Sequence, residues 1–131
     1  MSEESLLPNA VRIIEVGARD GLQNEAQLPT EMKVKLIDQL SLTGLTHIEA
    51  GAFVSPKRVP QMADSAQVFS QIKRQPGITY SALTPNLRGF EQAVQSGASQ
   101  VAVFTSSSDG FCQHNIHCSI SESLQRFEPV I

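Results

Sequence analysis

At 131 residues, with 40% hydrophobic and 18% charged side chains, the chain has the size and balance of a single globular domain. A net charge of −3 without a basic run argues against nucleic acid as a partner, and no stretch approaches the ~20 apolar residues of a membrane span. Two cysteines, Cys112 and Cys118, are too few for a disulfide scaffold and suit a reducing compartment. The opening MSEESLLPNA lacks both the positive start of a secretory signal and the arginines of a transit peptide, so a cytoplasmic address is expected.

In chain order, short β-rich runs alternate with segments of helical spacing. A first strand is predicted at Val11–Val16. The helix after it is opened by Thr30 and Glu31, carries Val34, Leu36, Ile37 and Leu40 on one side, and closes at Gly44. A second strand is predicted at His47–Ala52, and a second helix over Ala63–Lys73, stopped by Pro76-Gly77. The third pair is a strand at Ile78–Leu83 and a helix over Leu87–Ser96, ending at Gly97. The fourth strand, Gln100–Thr105, precedes a helix that starts at Ser119-Ile-Ser-Glu122 with capping-box spacing. Leu124 and Phe127 are its inward positions, and Pro129 leaves it short or bent.

This βα alternation implies parallel strands with helices outside. Two architectures fit: a small doubly wound sheet, or half of a (β/α)₈ barrel, whose typical ~250 residues are about twice this length. In the half-barrel reading, functional residues follow the C-terminal end of each strand. The unusual residues fall there: Arg19-Asp20, Glu49, Thr84-Pro85-Asn86 and Ser106–Asp109.

EVGARDGLQNE, residues 15–25, is the densest of these stretches. Asp20-Gly21 suits a simple tight turn. In this position Asp20 could instead bind a divalent metal through oxygen, while Arg19 offers a fixed fork for a carboxylate or a developing oxyanion. If the strand continues, Arg19 and Asp20 point to opposite sides and do not pair. Gln23 and Asn24 could bond polar substrate groups. Glu49 ends an apolar strand, where a carboxylate is costly to bury alone, and Arg19 on the neighbouring strand is its natural partner. A structural salt bridge and a catalytic role both remain open for it.

The run from Cys112 to Cys118 resembles a zinc cluster in composition, but seven consecutive residues rarely wrap one metal, and a loop leading into the capped helix is the better reading. Asn115 and Ser119 could touch a ligand from there. Gly17 and Gly21 lack dinucleotide-fingerprint spacing, and Thr105–Ser108 is not a phosphate loop.

EVGARDGLQNE, IEAGAFVSPKRVPQM, LTPNLRGFEQAV and NIHCSISESLQRF, in that order, closely resemble the N-terminal half of the 3-hydroxy-3-methylglutaryl-CoA lyases. The likeness runs from Val11 to Val130. It implies a (β/α)₈ TIM-barrel fold, with residues 1–131 forming about the first four βα units of a single, incomplete domain. It also implies an acyl-CoA substrate, a Mg²⁺ or Mn²⁺ ion, and cleavage to acetyl-CoA and acetoacetate, as in leucine degradation. By position, Arg19 resembles the catalytic arginine, Asp20 the aspartate ligand of the metal, and Glu49 the strand-two glutamate that bonds the arginine. Gln23, Phe53 and Asn115 fall where the family lines the substrate and coenzyme A path.

Departures from the family's pattern are Ala18 for a proline, Ala50-Gly51-Ala52 where some members carry hydroxyl residues that contact substrate, Arg58 and Pro129. The family's two histidine ligands, its asparagine ligand and its loop cysteine come from beyond the fourth unit, and neither His47 nor Cys112 aligns with them. The isolated chain is therefore expected to bind metal weakly and turn over little. Uncovered strand edges lead us to expect self-association or pairing with a complementary half-barrel, unless the chain is a fragment of a longer one. The alternatives are a condensing enzyme of the isopropylmalate synthase type and a noncatalytic half-barrel.

Overall fold

In the computed structural model, which describes residues 7–131, three parallel strands lie side by side in chain order. They are β1 (His47–Ala52), β2 (Thr79–Leu83) and β3 (Gln100–Ala102). Five α-helices accompany them: α1 (Thr30–Leu40), α2 (Ser65–Gln71), α3 (Leu87–Gln95), α4 (Asp109–Ile116) and α5 (Ile120–Phe127). A π-helical turn occupies Gly17–Gly21, and 3₁₀ turns occupy Pro60–Met62 and Glu128–Val130.

The core draws from each layer. Ile48 of β1, Tyr80 and Ala82 of β2, Ile37 of α1, Val68 and Phe69 of α2, and Ala93 of α3 form one buried cluster. The Phe53 and Phe69 rings stack at 5.9 Å between centroids, tying the end of β1 to α2. Tyr80 keeps its hydroxyl satisfied while buried: it lies 2.9 Å from Ser41 Oγ and accepts the Gln75 N–H at 3.0 Å.

β1 carries an irregularity in register between Glu49 and Gly51. Gly51 is required here, because an added Cβ would stand 2.7 Å from Ser65 Oγ. That close approach lets Ser65 Oγ accept the Ala52 N–H at 3.1 Å, fastening the strand to the start of α2.

The expected first strand is not formed as such. Over Val11–Val16 the ladder is reduced to one parallel bridge, Glu15 to Ile48. Glu15 N–H donates to His47 O at 3.0 Å, and Glu15 O accepts from Glu49 N at 2.8 Å. Val11 and Ile13 are 78% and 67% exposed. A strand needs both pairing and a covered face, and this apolar segment has one paired residue and little cover.

Other boundaries moved for local reasons. β3 stops at Ala102 rather than Thr105. The second helix begins at Ser65, because Pro60–Met62 winds into a separate 3₁₀ turn. Thr30 is the first residue of α1 rather than its cap, and its hydroxyl donates to Asp64 instead. The segment read as a loop around Cys112 is a helix, α4, capped by Ser108 and ended by His117 in the left-handed region. α5 has both capping-box hydrogen bonds, Ser119 with Glu122. Phe127 is buried as expected, but Leu124 is exposed and Ser123 takes the inward place.

Candidate active site

Backbone conformation decides where the two chemically distinctive residues point. The chain leaves Glu15 and turns at once into the π-helical Gly17–Gly21, where the N–H groups of Arg19, Asp20 and Gly21 all converge on Val16 O. Ala18 is buried beneath this turn. The extended backbone that would have sent Arg19 and Asp20 to opposite sides is therefore absent. Instead Arg19 Nη1 lies 3.2 Å from Asp20 Oδ1, so the two do form an ion pair, contrary to the sequence expectation.

Arg19 reaches across to β1 and donates its Nε–H to Glu49 Oε1. The Glu49 side chain is 7% exposed and that of Arg19 is 15% exposed, so this pair is largely removed from water. The Arg19 Nη1 also approaches Gln23 Oε1 at 3.4 Å. Nη2 has no hydrogen-bond partner among the described residues, which leaves one edge of the guanidinium open to a ligand oxygen. The structure thus brings together Arg19, Asp20, Gln23 and Glu49.

Asp20 differs from Glu49 in environment: its side chain is 59% exposed. One of its oxygens faces Arg19 and the carboxylate remains open to solvent, as a ligand for a hard cation would be. Among the described residues no group of three or more His, Cys, Asp or Glu side chains converges. An Mg²⁺ ion takes about six oxygens, several of them commonly water, and Asp20 is a single exposed carboxylate of the kind that could be one of them.

Phe53 sits just beyond β1 and is buried. It borders a cleft of about 470 Å³ between α2 and α3, with Met62, Ser65, Asn86 and Gln92, and none of Arg19, Asp20, Gln23 or Glu49 lines it, so Phe53 is not brought together with the Arg19 group. Asn115 is exposed on α4, after β3, and joins no hydrogen bond with the Arg19 group. Cys112 and Cys118 are free, buried thiols, and Cys112 Sγ lies 3.8 Å from Thr105 Oγ1. Burial pushes the Cys118 thiol above its ordinary range, with Arg126 opposing.

Sequence reasoning missed one buried charge near this face, Lys33. The signal was available: Lys33 stands four residues before Ile37, in the inward register of α1.

Parallel βα units with an arginine, two carboxylates and an amide gathered where strands end have the layout of part of a (β/α)₈-type barrel. A family model described as HMGL-like matches residues 10–131, and the chain belongs to that family. It is 59% identical over 127 residues to the 3-hydroxy-3-isohexenylglutaryl-CoA/hydroxy-methylglutaryl-CoA lyase of Pseudomonas aeruginosa, covering 95% of this chain and 42% of that protein. The cytoplasmic 3-hydroxy-3-methylglutaryl-CoA lyase of Danio rerio is 58% identical over 131 residues, covering 99% and 39%.

The crystal structure of hydroxymethylglutaryl-CoA lyase from Pseudomonas aeruginosa matches with a TM-score of 0.89 at 57% identity, over 95% of this chain and 42% of that one. A lyase from Acinetobacter baumannii, solved in complex with coenzyme A and 3-methylmalate, matches with a TM-score of 0.88 at 38% identity, over 91% and 39%. The chain thus spans about 40% of the length of these relatives. Their names include cytoplasmic and mitochondrial forms, and no helix among the described residues is long and apolar enough to cross a membrane.

Proposed function

We propose that this chain supplies the Arg19–Asp20–Glu49 wall of a hydroxymethylglutaryl-CoA lyase-type active site. The reaction is divalent-metal-dependent cleavage of 3-hydroxy-3-methylglutaryl-CoA to acetyl-CoA and acetoacetate. The observation that carries the reading is the buried Arg19–Glu49 couple, standing beside an exposed Asp20 in a member of the HMGL-like family.

The chemistry asks for what this couple offers. A base takes the tertiary hydroxyl proton, the carbon–carbon bond breaks, and its electron pair moves onto the thioester carbonyl to give an enolate. The hydroxyl-bearing carbon becomes the ketone of acetoacetate, and protonation of the enolate gives acetyl-CoA. Glu49 holds Arg19 by its Nε–H and so fixes the plane of the guanidinium. The open edge of Arg19 then faces the oxygen on which negative charge grows, already oriented and largely out of water.

Asp20 is the residue we assign to a Mg²⁺ or Mn²⁺ ion, whose contribution when bound is to hold and polarise substrate oxygens. Gln23 and Phe53 are assigned to substrate contact, with Asn115 on the coenzyme A path. Because Asp20 is one ligand and the chain covers about 40% of its relatives, we assign turnover to an assembled barrel rather than to this chain by itself. The exposed Val11 and Ile13 favour a covering element, either the remaining units of a barrel or a second copy.

Isothermal titration of 3-hydroxy-3-methylglutaryl-CoA with Mg²⁺ should give weak binding to the chain. A coupled acetoacetate assay should give turnover when the remaining portion of a relative, such as the Pseudomonas aeruginosa lyase, is co-expressed with it. Substantial turnover by the pure chain, or none in the reconstituted pair, would overturn the assignment.

A further inference from the structure

Lys33 is the buried charge to which the lyase chemistry gives no task. It is 4% exposed. Its Nζ donates to Gln61 O at 2.5 Å and to Asp64 Oδ1 at 2.6 Å. The second Asp64 oxygen accepts from Thr30 Oγ1 at 2.7 Å. Gln61 completes the set, donating from Nε2 to Glu25 O at 3.0 Å.

These bonds join two βα loops. Glu25 lies in the segment that carries Gln23, and Thr30 and Lys33 open α1. Gln61 lies in the 3₁₀ turn between β1 and α2, and Asp64 is the residue before α2. Both oxygens of Asp64 and both the carbonyl and the amide of Gln61 are engaged, so neither loop can slide along the other without breaking a directed bond. A buried ion pair pays heavily in desolvation, and apolar replacements of similar shape are often as stable. What such a pair fixes that an apolar contact does not is geometry.

We propose that Lys33, Asp64, Thr30 and Gln61 are positioning residues that hold the 22–29 loop against the 53–63 loop. They thereby set where the 22–29 loop, which carries Gln23 and follows closely on Arg19, stands against the chain leaving β1. The proposal rests on the lyase reading for its consequence, though not for its physical test.

Hydrogen exchange on the full chain tests it without any need for turnover. In the double variant Lys33→Met with Asp64→Leu, which keeps bulk and removes charge, amides of residues 22–29 and 53–63 should exchange about tenfold faster, with β1 and β2 amides unchanged. Lys33→Arg, which keeps a donor cation, should hold exchange within about threefold of the parent. Thr30→Val, which removes one bond, should fall between them. Unchanged exchange in both loops would overturn the proposal, as would acceleration or unfolding that includes β1 and β2, since that marks a merely structural pair.

The binding arm uses 3-hydroxy-3-methylglutaryl-CoA with Mg²⁺, whose affinity should drop about tenfold in the double variant and recover in Lys33→Arg. If the parent chain does not bind the thioester, the lyase reading fails while the exchange result still decides the clamp.

Discussion

A carboxylate buried as deeply as Glu49 is stable only with a partner, and Arg19 is that partner. The pair does more than neutralise charge, because one Nε–H bond orients a planar cation whose far edge stays open. In a reconstituted barrel we expect Arg19→Met to lower kcat by about 10²–10³-fold, the scale of losing a preplaced oxyanion donor. Glu49→Gln should lower it less, because an amide oxygen still accepts from Nε; the coupled acetoacetate assay reads both. Cys118 offers a check of a different kind. Its pKa is raised chiefly by burial, so the folded state holds the thiol proton more tightly than the unfolded state. That contribution to stability is complete below the ordinary thiol value of 9.0 and is lost as pH rises through the folded value. Thermal melts should therefore show a steeper fall in Tm above about pH 9 for the parent than for Cys118→Ala.

Among the elements, α3 and α5 are held by close local geometry. A Cβ at Gly89 would stand 2.7 Å from Phe53 O and 2.8 Å from Pro85 Cδ, both stiff neighbours. Gly89→Ala should cost about 1–3 kcal/mol in urea unfolding, as overpacking of a closed contact does. Ser119→Ala should cost about 1 kcal/mol by removing the α5 cap. These two sites also show why some of the fold was legible and some was not. The Ser119–Glu122 box is read directly from sequence because capping involves neighbours in the chain. α4 was missed because Cys112 is its one buried residue, leaving no apolar stripe to count. The Arg19–Glu49 partnership was legible from the cost of burying a carboxylate. The Arg19–Asp20 contact was not, since it depends on a π-helical turn that no residue pattern announces.

For the molecule as a whole, alternation of β and α texture was enough to give parallel strands with helices outside, because each texture reports the period of its own element, while the choice of a barrel over a doubly wound sheet came from the family resemblance. The state of Val11–Val16 was not readable in the same way. Its composition is that of a buried strand, yet burial depends on what lies against it, and here Ile13 is 67% exposed. Light scattering on the chain should detect concentration-dependent association, and Val11→Lys with Ile13→Lys should suppress it while leaving the far-ultraviolet circular dichroism unchanged. A dilution-stable monomer in the parent would remove the case for a covering partner.

The spatial order β1-β2-β3 is also the order in which a ribosome delivers the strands. Each strand pairs with the one made just before it, so the sheet can lengthen one unit at a time as the polypeptide emerges, and every finished unit becomes the template for the next. Assembly of this kind is vectorial. The apolar Val11–Val16 segment, bridged to β1 only through Glu15, emerges before β1 and waits for cover, and it is where a chaperone would be expected to act during synthesis.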